Sequence, residues 1–373
     1  MVRAALIGLG KMGISHCAIL NAHPGVELVG VADTSKLLRW GMGKYSSVPM
    51  YDDYKEMIEK TQPDCVFVAT PTKLHFQLAR FCLEQGVHVF LEKPCCLNYE
   101  DTTTLRGIAE EGKLLVQLGY HNRFLGTFRE VKRLIDEGTL GNIYHFSAEA
   151  YGPVVVEAKE ATWRSNRGEG GGCLYDYASH VINLVQFLVG EIREVRGTRL
   201  EHVFSRDVED AVYSTLITED GIGGQMTVSW SEESFRKMVT SIKISGTKGR
   251  IEADAQELKL YLNKAGGGDG EHGWKVSYLT DHTAPVDYYL RGEEYSAQVD
   301  DFIARVSAGS TDSVNSIQYS GETDRVIELL ITDNERDYSG ISQSKKPVNL
   351  SSLGFWTRLK LLINPGSDAH YTS

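Results

Sequence analysis

Val2-Arg3-Ala4-Ala5-Leu6-Ile7-Gly8-Leu9-Gly10-Lys11-Met12-Gly13 decides the fold. Its first half is a short apolar run bounded by glycine, the pattern of a strand buried on both faces. Its second half has the spacing G-x-G-x-x-G, where the strand turns into a helix. Gly8 allows the tight turn, Gly10 lets a pyrophosphate approach the backbone, and Gly13 lets helix and strand pack closely. Lys11 and Met12 open that helix, so their backbone N–H groups and the helix dipole face the phosphates.

The same alternation continues downstream. Strands over 3–8, 27–33, 64–70, 87–91 and 113–118 alternate with helical stretches over 13–21, 52–59, 74–85 and 99–111. This rhythm predicts an α/β protein whose residues 1–122 form a doubly wound parallel sheet, a dinucleotide-binding Rossmann domain. Past Tyr120 the pattern changes to a helix over 127–137, a strand over 142–150, a Gly-rich stretch and a helix near 175–189. Several strands then follow between Glu191 and Tyr261, separated by turns such as Glu219-Asp220-Gly221. Strands without helices between them predict, over 123–345, an α+β domain with a large, mainly antiparallel open sheet. Late helices near 293–307 and 320–337 are free to pack on either domain. The polar tail over 346–373 has no place in this scheme.

A length of 373 residues, 42% hydrophobic and 24% charged, suits a two-domain soluble protein. A net charge of −11 argues against nucleic-acid or anionic-membrane partners. No apolar run is long enough to span a bilayer, and a strand starting at Val2 leaves no room for a signal peptide. Six cysteines show no zinc spacing, so no metal site is expected; Cys17, Cys65 and Cys82 read as reduced core thiols. A cytoplasmic location is the expectation.

Asp33 ends the second strand, where a carboxylate accepts hydrogen bonds from the ribose hydroxyls of NAD and repels the 2′-phosphate of NADP. An N-cap for the next helix is its rival role. Lys36 and Arg39 keep NADP open. A second loop, Ala69-Thr70-Pro71-Thr72-Lys73-Leu74-His75, leaves the carboxyl end of another strand and would pass over the cofactor. Thr70, Pro71 and His75 are its candidate contacts, although a solvated helix histidine explains His75 equally well. Thr72 reads as an N-cap.

Lys93 follows the apolar strand Val87-His88-Val89-Phe90-Leu91-Glu92, with Pro94 behind it. An ammonium has no packing reason to sit there, and strand carboxyl ends are where open α/β sheets bind ligands. Glu92 can anchor the cofactor ribose or hold the lysine; an exposed ion pair is the plain alternative. Far downstream comes Gly170-Gly171-Gly172-Cys173-Leu174-Tyr175-Asp176-Tyr177-Ala178-Ser179-His180-Val181-Ile182-Asn183. Asp176 and His180 lie four apart and Asn183 three further, on one face of an otherwise apolar helix. Trp163-Arg164 could cover a planar ring or clamp an anionic group. Tyr120, Asn122, Arg123, Arg164, Tyr177 and Asn183 are hydrogen-bonding types suited to a polyhydroxylated small molecule, with an interdomain salt bridge as the alternative for Arg123.

Taken together, these marks resemble the glucose–fructose oxidoreductase / inositol dehydrogenase / MocA (Gfo/Idh/MocA) family of NAD(P)-dependent sugar and cyclitol dehydrogenases. The resemblance rests on Gly8-x-Gly10-x-x-Gly13, Asp33, Thr70-Pro71 with His75, Glu92-Lys93-Pro94, Trp163-Arg164, and Gly170-Gly171-Gly172 with Asp176 and His180. It implies that Lys93, Asp176 and His180 act on a substrate hydroxyl beside the nicotinamide. It also implies a homodimer or homotetramer formed through the open face of the second sheet. Members often carry Asp three residues after the histidine; this chain has Asn183. In such a reaction His180, with an ordinary pKa of about 6.5, takes the proton. Asp176 orients its ring or binds a neighbouring hydroxyl, and Lys93 stabilises charge on the reacting oxygen. Three rivals share the scaffold. They are a glycosidase using bound NAD for transient oxidation, a non-catalytic NAD sensor, and a sugar–sugar oxidoreductase that retains its cofactor. A sensor would be expected to lose the Lys/His pair, which this chain keeps.

Overall fold

A computed structural model of the chain describes residues 1–154, 163–267, 272–286 and 292–336. The tail over 346–373 lies outside them. Residues 2–118 build β1 (Val2–Ile7), α1 (Lys11–Ala22), β2 (Val26–Ala32), α2 (Lys36–Gly43), β3 (Met50–Tyr51), α3 (Tyr54–Thr61), β4 (Cys65–Val68), α4 (His75–Glu84), β5 (His88–Leu91), α5 (Tyr99–Gly112) and β6 (Val116–Leu118). The strands pair in parallel in the order β3-β2-β1-β4-β5-β6. Every residue of β4 and β6 is buried, as a sheet covered on both faces requires. The order reverses between β1 and β4, and that reversal opens the crevice in which such sheets bind ligands. Two elements were not legible from pattern. Helix α2 buries none of its residues and β3 is two residues long, so neither carries a periodic apolar signal.

The second sheet contains β7 (Ile143–Tyr151), β8 (Ile192–Glu201), β9 (Ala211–Thr218), β10 (Gly223–Ser229), β11 (Val239–Gly246), β12 (Gly249–Asp254), β13 (Glu257–Leu262) and β14 (Gly273–Tyr278). Its order is β14-β13-β12-β11-β7-β10-β9-β8, antiparallel except for the parallel pair β7–β10. Side chains alternate: in β13, Leu258, Leu260 and Leu262 are buried while Tyr261 is exposed on the other face. The inward set packs against α6 (Gly126–Asp136) and α7 (Ser179–Leu188), through Phe128, Val131, Val181 and Val185.

The two late helices go to different domains. Glu293–Ser307 returns to the first, where Val299, Phe302 and Ile303 join Leu6, Phe67 and Phe90 in one core. Phe302 meets the Phe67 ring edge-on at 5.3 Å. Glu322–Glu335 packs on the second, with Val326, Ile327 and Leu330 in its core. Asp333 and Asn334 on that helix accept the Thr198 and Leu200 amides of the edge strand β8. Among the described residues no helix is long and apolar enough to cross a membrane.

Candidate active site

The glycine turn has the geometry its spacing demands. Gly8 holds φ +98°, and a Cβ there would lie 2.6 Å from the Ala69 carbonyl oxygen. A Cβ on Gly13 would lie 1.8 Å from the Gly8 carbonyl oxygen, so only glycine lets α1 begin there. A Cβ on Gly10 would meet nothing within 4 Å. That open space fronts the start of α1 at Lys11, an N-terminus with no side-chain cap. Opposite, the buried Thr70 hydroxyl has no partner among the described residues. An uncapped helix start, an open approach and an unspent hydroxyl fit a dinucleotide phosphate.

Asp33 braces this turn. Its Oδ2 accepts the Leu9 amide at 2.6 Å and its Oδ1 the Ser35 amide at 2.7 Å. Each oxygen keeps a further lone pair for a ribose hydroxyl. The N-cap role falls to Ser35, whose hydroxyl accepts from the Leu38 amide. Arg39 donates to the Asp33 carbonyl and lies 3.6 Å from Asp52. Pro71 is exposed beside this turn, and Thr72 lies inside a short 3-10 turn rather than capping it.

His75 corrects the expectation of a cofactor contact or a solvated side chain. It is buried, with Nδ1 2.9 Å from the Pro94 carbonyl and Nε2 3.0 Å from the Thr70 carbonyl. Both ring nitrogens are spent on backbone, so His75 ties the 70–72 loop to the turn after Lys93. Burial, only partly offset by these carbonyls, holds it below the ordinary histidine range.

Glu92 is also buried. Its Oε1 lies 2.6 Å from Nε2 of His16, a partner on α1 that the sequence did not suggest. Burial alone would raise the carboxyl, but the His16 hydrogen bond, with Lys93 and His75 nearby, brings it below its ordinary value. The only local sign of His16 is a histidine on the buried face of α1, three residues past Gly13. Nothing in the sequence links it to Glu92.

Across the crevice stands the second domain. The glycine loop abuts the first domain directly: a Cβ on Gly170, which holds φ +84°, would lie 3.0 Å from side-chain atoms of Thr72 and Leu97. Lys73 and Glu169 close the rim with a 2.7 Å ion pair. Leu174–Ala178 form one π-helical turn before α7, a local widening often found at functional sites. That turn delivers Asp176 to Lys93. Lys93 Nζ donates to Asp176 Oδ1 at 2.8 Å and to the Asp176 carbonyl at 3.0 Å. Arg164 Nε donates to the other carboxylate oxygen at 2.9 Å. Burial alone would raise the Asp176 carboxyl; the two cations outweigh it and hold the group ionised.

His180 sits beside this pair, 4% exposed, and its Nδ1 has no hydrogen-bond partner among the described residues. Asp176 therefore does not orient its ring; aromatic edges do. Tyr120 lies at 5.9 Å and His121 at 4.9 Å between ring centroids. Burial first, then the Lys93 and His121 charges, hold His180 well below the ordinary histidine range. That shift favours the neutral ring.

Further expected substrate contacts are buried in the structure. Asn183 is 1% exposed; its Oδ1 accepts Arg123 Nε at 2.7 Å and its Nδ2 donates to Thr323. Arg123 is buried as well, donating to the Val314 carbonyl at 2.6 Å, and burial brings its pKa down to about 10. Both belong to an internal clamp. Tyr177 packs edge-on to Trp230 in the second core. The phenol of Tyr120 is buried near Asp324, and burial, then that carboxyl, pushes it well above its ordinary range. Asn122 is 3% exposed, with Nδ2 unpartnered among the described residues. The Trp163 side chain lies outside the described residues.

Residues 2–120 match the oxidoreductase family with an NAD-binding Rossmann fold, and residues 128–252 match the GFO/IDH/MocA C-terminal domain. The chain is 30% identical to the rhizopine catabolism protein MocA of Rhizobium meliloti, over 61% of this chain and 70% of that protein. It is 27% identical to a putative UDP-kanosamine synthase oxidoreductase subunit of Amycolatopsis mediterranei, over 82% of this chain and 88% of that one. A solved structure of levoglucosan dehydrogenase with NADH and levoglucosan shares the fold, at TM-score 0.80 and 21% identity over 89% of this chain and 96% of the other. With its glycine turn, its Asp33 brace and both halves matched, the chain belongs to the GFO/IDH/MocA family of NAD-binding oxidoreductases.

Proposed function

We propose that the protein exchanges hydride between NAD and a secondary alcohol or ketone of a polyhydroxylated molecule: a sugar, a sugar derivative such as a nucleotide-linked sugar, or a cyclitol. The observation that carries this is the Lys93–Asp176 contact, which joins the strand-end lysine of the nucleotide domain to the second domain at the crevice. Bound nicotinamide supplies the hydride acceptor or donor. Lys93 spends two N–H groups on Asp176 and has a third for the reacting oxygen, where it stabilises developing negative charge. Neutral His180 takes the hydroxyl proton. Asp176 fixes the lysine, and Arg164 adds a partly exposed cation at the rim. Asp33 supports a preference for NAD over NADP.

Tyr213, Tyr261 and Trp274 stand exposed on the face of the second sheet turned away from its core. They support a homodimer or homotetramer formed through that face, which light scattering after size exclusion would test. Purified protein incubated with NAD or NADP and a panel of sugars and cyclitols tests the reaction. NADH release supports a dehydrogenase. Product without NADH release supports a retained-cofactor glycosidase or sugar–sugar oxidoreductase. No product from any member supports a sensor.

A further inference from the structure

Behind the Lys93 turn lies a carboxyl group that the reaction does not use. Asp324, on the helix Glu322–Glu335, is 2% exposed. Its Oδ2 accepts the Cys96 amide at 2.9 Å and the Thr102 hydroxyl at 2.6 Å. Its Oδ1 is buried with no partner among the described residues. The acid comes from a helix of the second domain, whereas Cys96 and Thr102 belong to the first. The same helix makes other crossings: Glu328 accepts the Tyr99 amide at 2.6 Å, and Glu322 accepts the Tyr99 hydroxyl at 2.6 Å and Arg106 at 2.7 Å. Lys93 is thus held in front by Asp176, through its side chain, and its turn is held from behind by Asp324, through backbone. An apolar joint would cost less than a buried acid with an idle oxygen. The acid supplies the acceptor that the Cys96 amide would otherwise lack.

We propose that Asp324 is a positioning residue: by holding the Lys93–Cys96 turn from the second domain, it sets where the Lys93 ammonium stands against Asp176. The proposal rests on the reading of Lys93 as donor to the reacting oxygen. Burial lifts Asp324 to about 7, against the opposing hydrogen bonds from Thr102 and Cys96, with the Glu328 charge adding to the rise. The Tyr120 and Tyr175 phenols and the Cys95 thiol also face it. The idle Oδ1 is the site for the proton. Once it is bound, the carboxyl that burial disfavours as an anion is neutral, so the arrangement that buries Asp324 gains stability as pH falls through this range and loses it as pH rises.

Iodoacetamide alkylation of Cys95 and Cys96, mapped by mass spectrometry on the full chain, reports the turn without any cofactor. Asp324→Ala should speed it about tenfold or more, because the Cys96 amide loses its acceptor. Asp324→Asn, which keeps a carbonyl oxygen there, should stay near wild type. With a polyol that the wild type oxidises, Asp324→Ala should lower kcat while leaving NADH affinity, followed by fluorescence, unchanged. Equal alkylation in wild type and Asp324→Ala overturns the proposal. Should Asp324→Ala fail to fold, exchange of the Cys96 amide relative to its intrinsic rate decides. It should change across about pH 7 in the wild type and stay level in Asp324→Asn; a level wild-type profile overturns the idea. If the wild type turns over no polyol, the functional reading fails while alkylation still decides this one.

Discussion

Replacing Asp176 by Asn removes one charge and almost no volume. In the native site Oδ1 lies 2.8 Å from Lys93 Nζ and Oδ2 lies 2.9 Å from Arg164 Nε. At an effective dielectric of about 20, the Lys93 contact alone carries roughly 6 kcal/mol of gross Coulomb attraction. Desolvation of both ions offsets much of this, and stranding one partner of a buried pair costs about 3–5 kcal/mol. The amide oxygen still accepts one N–H, and the Asp176 carbonyl keeps its 3.0 Å contact. The low end, about 3 kcal/mol, is therefore expected. The Arg164 side chain is 42% exposed, and such a contact adds no more than about 1 kcal/mol. Urea unfolding at neutral pH measures the loss. Lys93→Met combined with Asp176→Asn removes both charges and should cost less than the two single changes added, by about 2 kcal/mol. Strict additivity would refute an energetically coupled pair between the domains.

Further outcomes follow from the site. His180 is held well below the ordinary histidine range by burial, Lys93 and His121. Its neutral form therefore persists as pH falls, and alcohol oxidation should stay level down through about pH 6.5. Lys93→Met removes a positive neighbour and should move the acid limb of kcat upward; a wild-type limb at or above that pH counts against the assignment. Gly10→Ala should fold normally, since its Cβ meets nothing, yet lose about tenfold or more in NADH affinity where the backbone must approach phosphate. Gly13→Ala should instead destabilise the fold, its Cβ standing 1.8 Å from the Gly8 carbonyl oxygen; calorimetry beside NADH titration separates the two. Asn183→Asp gives the buried Arg123 a charged acceptor at a 2.7 Å contact. It should add about 1–2 kcal/mol of stability, read as a higher thermal midpoint.

Much of the scaffold was legible because it is governed by short-range rules. A strand running into Gly8-x-Gly10-x-x-Gly13 admits few conformations, and alternating patterns specify layers. The one-residue contacts across the crevice were harder. Lys93 and Asp176 were picked out as charges in apolar surroundings, and the structure brings them together. Asn183, Arg123 and Tyr177 stand out as hydrogen-bonding types, and in the structure they meet internal partners. A polar side chain on an apolar helix signals burial with a partner; sequence does not say whether that partner is a ligand or another residue. His16 with Glu92, and Asp324 with Cys96, are the converse. Their partners lie 76 and 228 residues away, and no local pattern announces such pairs.

In the proposed reaction Lys93 stands at the oxygen of a carbon that exchanges hydride with NAD. The most direct test follows NADH formation by wild type and Lys93→Met on the same sugar and cyclitol panel, with NADH affinity measured for both. The wild type should oxidise at least one member, and Lys93→Met should lower kcat by about a hundredfold or more at nearly unchanged NADH affinity. Turnover by Lys93→Met at the wild-type rate would contradict it.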